Sequence, residues 1–162
     1  MHQAFSWLWI CFCQRKHKVF FWLLLKDRLS TRGILRRKNM QLDSYKCVLC
    51  SLSAEETSAH LFLNCPFAKE CWNSIGISFQ GNINATEAVL EIRSQSNNRF
   101  FMISAILMSW AIWTIRNDFI FKNLQPEVEK AKEVFKKEIQ LLSLRAKAKD
   151  SILFDRWIHN LL

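Results

Sequence analysis

CVLCSLSAEETSAHLFLNCPFAKECW, residues 47–72, is the stretch on which the reading of this chain turns. Cys47, Cys50, His60 and Cys65 follow one another in it as C-x2-C, nine residues, then H-x4-C. A C-x-x-C pair reaches one ion from a tight turn, because the turn brings both thiolates and nearby backbone N–H groups together. His60 and Cys65 then complete a closed tetrahedral shell of three thiolates and one imidazole, the chemistry of a structural zinc site with no position left for substrate. The sequence therefore predicts one structural zinc on Cys47, Cys50, His60 and Cys65.

Local signals around the ligands suggest how they are carried. Ser53 followed by Glu56 fits a capping box and predicts a short helix over residues 54–62, with His60 on its last turn. Pro66 stands where a first helical residue belongs and Gly76 where a C′ residue belongs, predicting a helix over residues 66–75. Cys65, just ahead of that helix, has its thiolate favoured by the helix dipole.

The remaining cysteines, Cys11, Cys13 and Cys71, read as ordinary buried residues. In an exported protein, six cysteines would suggest a disulfide framework. The N-terminal MHQAFSWLWICFC, however, lacks the basic segment and cleavage site of a signal peptide. A metal site in a reducing compartment is the expectation, nuclear or cytoplasmic and not secreted.

Working outward, the segment before the ligands is strongly basic. Residues 14–46 hold ten Lys and Arg against Asp27 and Asp43, in a chain of 162 residues with net charge +9. Thr31 is a candidate N-cap and Asn39 a candidate helix end, and Val19, Trp22 and Leu23 recur at helical spacing. Two short helices, basic on the outside, are expected here. Arg15, Lys16, Lys18, Arg28, Arg32, Arg36, Arg37 and Lys38 are the candidate phosphate contacts of an RNA or DNA partner. Trp7, Trp9 and Trp22 have the chemistry to stack on bases but read as core. His17 and His159 read as solvated, and Asp118 as a partner for a nearby cation.

Half of the residues are apolar and Gly and Pro together number only five, which favours a mostly α fold: a small zinc-stapled helical module followed by a helical C-terminal portion. The expected division is 1–76 for the zinc module, 77–84 for a linker and 85–162 for the helical remainder. Residues 85–95 and 98–123 predict helices, and one long amphipathic helix is expected from Pro126, with Val128, Ala131, Phe135, Ile139, Leu142 and Ala146 on its apolar face. The longest apolar run, FFMISAILMSWAIWTI at 100–115, falls short of the roughly 20 residues that a membrane span needs, and so reads as a buried central helix.

The order HKVFFWLLLKDRLSTRGILRR, CVLC, EETSAHLFLNCPFAKECW closely resembles the zinc-binding domain found downstream of the polymerase in reverse transcriptases of plant LINE-type (non-LTR) retrotransposons. The resemblance spans about residues 7–72. A weaker likeness continues in SWAIWTIRNDFIFKN at 109–123, similar to a W-x-I-W-x-x-R-N segment that follows the domain in plant copies. The resemblance implies zinc on the four ligands and a nucleic-acid-associated role beside a reverse transcriptase. Nothing in the sequence resembles the polymerase's paired aspartates or an RNase H carboxylate set, and the residues supply no activated nucleophile, acid–base pair or open metal site with persuasive spacing. The expectation is a non-catalytic zinc module that binds RNA or DNA through phosphates, derived from the C-terminal part of a reverse transcriptase or standing as a degenerate copy, without a membrane or small-molecule partner. The alternative is a zinc-stabilised protein-interaction module or an inactive retroelement remnant.

Overall fold

The apolar run too short for a membrane becomes the centre of the protein. In chain order, a computed structural model describing residues 3–96, 98–146 and 148–161 gives α1 (Gln3–Ile10), α2 (Arg15–Leu25), α3 (Arg32–Arg37), a π-helical turn (His60–Asn64), α4 (Pro66–Asn73), α5 (Ala85–Ser96), α6 (Phe101–Lys122), α7 (Val128–Ser143) and α8 (Ala148–Leu161). The fold is mostly α. Among the described residues there is no strand, only an isolated antiparallel bridge between Lys46 and Glu55.

From Phe101 to Ile112 helix α6 is apolar but for Ser104 and Ser109, the composition of a helix packed on nearly every face. It lies against α2, α5, α7, α4 and the π turn. Its two tryptophans fix the contact with the zinc-bearing part of the chain. Trp110 meets Phe20 edge-on at 5.2 Å, and Trp113 stacks on Phe62 at 6.0 Å. Wholly buried Trp72 donates from Nε1 to the Phe62 carbonyl at 2.7 Å, so the largest ring of α4 enters the same core without an unpaired N–H. One cluster of buried side chains thus runs from Phe20 and Phe21 through Leu61, Phe62 and Trp72 to Ile106, Ile112, Phe135 and Ile139. No described helix is long and apolar enough to cross a membrane.

Several helix ends follow local chemistry. Thr31 Oγ1 accepts from the Ile34 N–H at 3.3 Å, and α3 stops before Asn39, which takes a left-handed φ of 59°. Pro66 opens α4, and Gly76, at φ 77°, turns the chain so that the Ile77 N–H returns to the Trp72 carbonyl. Asn84 and Glu87 cap α5 reciprocally, each side chain accepting from the other's backbone N–H. Lys122 pairs with Asp118 at 2.8 Å one turn away.

Four expectations are corrected. The long C-terminal helix is two: α7 buries Ala131, Phe135, Ile139 and Leu142 as its spacing requires, but the chain turns at residues 144–146 and α8 folds back. Wholly buried Phe154, edge-on to Phe12 and Phe100, draws α8 onto the core, and no proline or glycine announces the break. The buried stripe of α2 is His17, Phe20, Phe21 and Leu24, while Val19 faces water. Trp9 is half exposed; Trp7 packs edge-on against Phe101 and beneath Arg93, and Trp22 is half-buried against the core.

The fourth correction has a chemical consequence. His17 is not solvated but fully buried, edge-on to Trp110 at 4.8 Å, with Nε2 3.5 Å from the Glu138 carboxylate of α7. The helical period, stronger than the basic run around it, turns this position inward. Burial, and then the charge of Lys16, holds its pKa at about 4. The unfolded chain protonates near 6.5, so the contribution of neutral His17 is complete above that pH and is lost as pH falls towards 4. Between pH 7.5 and 5, folding free energy should decline by about 2 kcal/mol more in the native protein than in His17→Phe. Urea titrations of both at pH 7.5 and 5 measure the difference, and acid effects on zinc are common to the pair.

Candidate metal centre

The C-x-x-C turn is held by a short hairpin. The Cys47 N–H donates to the Ala54 carbonyl at 2.8 Å and the Glu56 N–H to the Tyr45 carbonyl at 2.9 Å, flanking the bridge between Lys46 and Glu55. Ser53 turns the chain with φ 56°. It is therefore not the cap of a helix over residues 54–62, because residues 54–56 pair with the first limb of the hairpin. The helical turn starts later and is capped by Thr57, whose Oγ1 accepts from the His60 N–H at 3.1 Å. His60 stands at the beginning of that turn, not the end.

From His60 the backbone widens into a π turn, closed by the Cys65 N–H donating to the His60 carbonyl at 2.7 Å. Pi-helical turns recur at functional sites because they re-aim side chains. Here Leu61, Phe62 and Leu63 are delivered to the core, while His60 and Cys65 face the C-x-x-C turn.

The four ligand atoms lie within 4.8 Å of one another. Cys47 Sγ is 3.9 Å from Cys65 Sγ, and Cys50 Sγ is 3.4 Å from His60 Nε2. Tetrahedral zinc with bonds of about 2.3 Å to sulfur and 2.0 Å to nitrogen separates its ligand atoms by about 3.5–3.8 Å. The cluster suits one zinc ion, bound by three thiolates and His60 Nε2. Cys47 and Cys65 are buried, and Cys50 and His60 are half-buried. Cys65 is drawn down to about 6, first by its hydrogen bond with Cys47, and further by the backbone N–H groups of Ala68 and Phe67 at the start of α4. Cys47, the other member of that pair, is pushed up. Four protein ligands would close the shell of a bound zinc, and the chemistry such a closed shell would supply is cross-linking.

Behind the ligands lies an ion pair that composition and spacing did not reveal. Glu56 is fully buried, and its carboxylate takes Arg116 of α6 in a two-pronged contact, Nη2 to Oε1 at 2.6 Å and Nε to Oε2 at 3.2 Å. Oε1 also accepts from the Arg32 N–H at 2.9 Å, and the Glu56 carbonyl from the Gly33 N–H at 3.0 Å. A Cβ on Gly33 would lie 3.0 Å from that carbonyl oxygen, so only glycine lets α3 come this close to the hairpin. Arg116 in turn lies over the Trp113 ring at 4.8 Å. The S-x-x-E spacing that imitates a capping box thus belongs to a tertiary contact.

The eight candidate phosphate contacts separate into groups. Arg28, Arg37 and Lys38 converge on a groove between α2 and α3 of about 530 Å³, where Leu23 and Ile34 add apolar lining. Arg37 also pairs with Asp27 at 2.6 Å. Arg32 donates to the Lys46 carbonyl, and Arg36 pairs with Glu55 and lies over Tyr45, so both brace the hairpin. Lys16 is 4.0 Å from Glu138, and Lys18 donates to the Trp9 carbonyl, at the other end of α2. Arg15 is exposed.

Residues 1–72 match the family model described as zinc-binding in reverse transcriptase. This match contains all four ligands and supports a reverse-transcriptase zinc-binding domain in that part of the chain. Zinc-binding is the property of the domain, which is not itself catalytic. Arg116 lies beyond the match, so the zinc-binding region leans on a helix outside it. No curated protein and no solved structure matches the chain.

Two outcomes follow. His60→Ala should weaken zinc more than about 100-fold, beyond the loss typical of an outer-shell contact, and lower the melting temperature with it; zinc competition with a chelator and a thermal scan read both. Arg116→Met strands the Glu56 carboxylate and should cost about 3–5 kcal/mol, of which Glu56→Gln in the same chain restores a part by removing the buried charge. Denaturant titration of the single and double variants gives the coupling.

Proposed function

We propose that the protein is a non-catalytic, zinc-organised module that binds nucleic acid through its phosphates. The observation that carries this reading is the groove between α2 and α3, where Arg28, Arg37 and Lys38 border apolar Leu23 and Ile34. Cations beside an apolar floor suit a sugar–phosphate chain whose bases need cover, and guanidinium groups match phosphate oxygens in two-pronged contacts. Asp27, held by Ser58 Oγ at 2.8 Å as well as by Arg37, orients one of these cations. The bracing of α3 by Glu56 and Gly33 against the hairpin makes zinc the organiser of the groove. Cations of this kind position a nucleic acid without reading its sequence.

Membership of a plant LINE-type retroelement, proximity to a reverse transcriptase and residence in the nucleus belong to the same proposal and rest on the resemblance of residues 7–72. The second reading, a protein-interaction module, draws on Trp9, Ile10 and Phe12, which stand exposed where α1 ends.

Binding of a labelled single-stranded RNA should weaken with salt at a logarithmic slope of about −2 if these three cations each neutralise one phosphate. The triple variant Arg28→Gln, Arg37→Gln, Lys38→Gln should lose most of that slope while retaining zinc. An unchanged slope in the triple variant would move the nucleic acid elsewhere, and absence of binding by the native protein would favour the docking module.

A further inference from the structure

The six cysteines fall into three chemical situations. Cys47, Cys50 and Cys65 belong to the cluster suited to zinc, where a bound ion would engage their sulfur electrons. Cys71 is wholly buried on α4 and pushed up to about 12 by burial, which makes it inert. Cys11 and Cys13 remain. They lie in the non-helical turn between α1 and α2, with Sγ atoms 3.2 Å apart; Cys11 is half-buried and Cys13 buried.

We propose that Cys11 and Cys13 are a redox-active dithiol, independent of the zinc centre, in which Cys11 is the thiol attacked first by a hydroperoxide and Cys13 resolves it to an intramolecular disulfide. The two sulfurs need approach by only about 1 Å to reach the disulfide bond length, and the turn that carries them lies outside both helices. Their exposures differ in the sense the roles require, since peroxide reaches the half-buried sulfur before the buried one. Contact with Cys13 holds the Cys11 thiol below its usual range despite burial, with the charge of Lys18 adding to the effect, while the same contact and burial push Cys13 up. Lys18 is kept beside the turn by its hydrogen bond to the Trp9 carbonyl at 3.0 Å.

The chemistry balances. The Cys11 thiolate attacks one peroxide oxygen, the O–O bond breaks, and the departing hydroxide takes a proton to leave as water, giving a sulfenic acid on Cys11. The Cys13 sulfur then attacks the Cys11 sulfur; the S–S bond forms, the S–O bond breaks, and hydroxide leaves as water with the proton of Cys13. Two thiols and one hydrogen peroxide become one disulfide and two waters. Phe12, between the two cysteines, is edge-on to Phe154 of α8 at 5.2 Å, so closure of this ring acts on the contact that docks α8.

The zinc-loaded full chain treated with an equimolar amount of hydrogen peroxide should yield a peptide in which Cys11 and Cys13 are linked, with zinc retained and Cys71 still free to alkylate after unfolding. In Cys13→Ser, dimedone should label Cys11, because the sulfenic acid formed there no longer has a resolving thiol. In Cys11→Ser, modification of Cys13 should slow by about tenfold or more. Release of zinc before the link forms, equal reactivity of Cys11 and Cys71, or disulfides only between chains would each overturn the proposal. The native mapping decides the question even where a serine variant folds poorly.

Discussion

A carboxylate removed from water is tolerable only beside a compensating charge, and Glu56 has its compensation on a helix 60 residues further along the chain. Through one side chain the zinc hairpin, the start of α3 and the far half of α6 are tied to one another. The backbone of Glu56 contributes equally, since its N–H completes the hairpin with Tyr45 and its carbonyl receives Gly33. The position of α3, and with it the groove carrying Arg28, Arg37 and Lys38, depends on a contact whose charge partner lies outside the zinc-binding family match.

The metal centre and the core are joined in the same five residues. In the π turn, His60 belongs to the ligand set, and the three residues after it are buried among Phe20, Trp113 and their neighbours. Zinc that draws His60 and Cys65 together therefore also seats Phe62 against α6. Free energy of metal binding becomes free energy of packing, as in other small sites formed only in the folded chain. Exposed cations make the outer layer; several of them brace the hairpin or lie at the start of α2, and three border the groove.

The features legible in the sequence are those that short spacing determines. Thr31, Pro66 and Gly76 mark helix ends by local chemistry alone, and the ligand spacing predicted a cluster that the structure brings within bonding reach of one ion. Misread features depend on distant partners. Ser53 and Glu56 have the spacing of a cap, yet Arg116 and the Arg32 N–H claim the carboxylate, and burial of that pair outweighs a surface cap worth about 1 kcal/mol. His17 sits among cations in sequence and among aromatics in space, because α2 turns one face inward every three or four residues. The break between α7 and α8 has no breaker residue; Phe154 turns it from afar.

The π turn between His60 and Cys65 also sets which changes of length the chain can accept. On the other side of His60, residues 51–53 are exposed at the tip of the hairpin, and a residue gained there lengthens a loop in water. Between His60 and Cys65 the count is rigid. Removing one residue would rewind the turn to α geometry and swing everything beyond it by about 100° around the helix axis. Cys65 would leave the metal, and Phe62 and Trp72 would lose their shared register in the core. Insertions and deletions are thus confined to one side of the histidine by geometry that both the ion and the hydrophobic interior enforce.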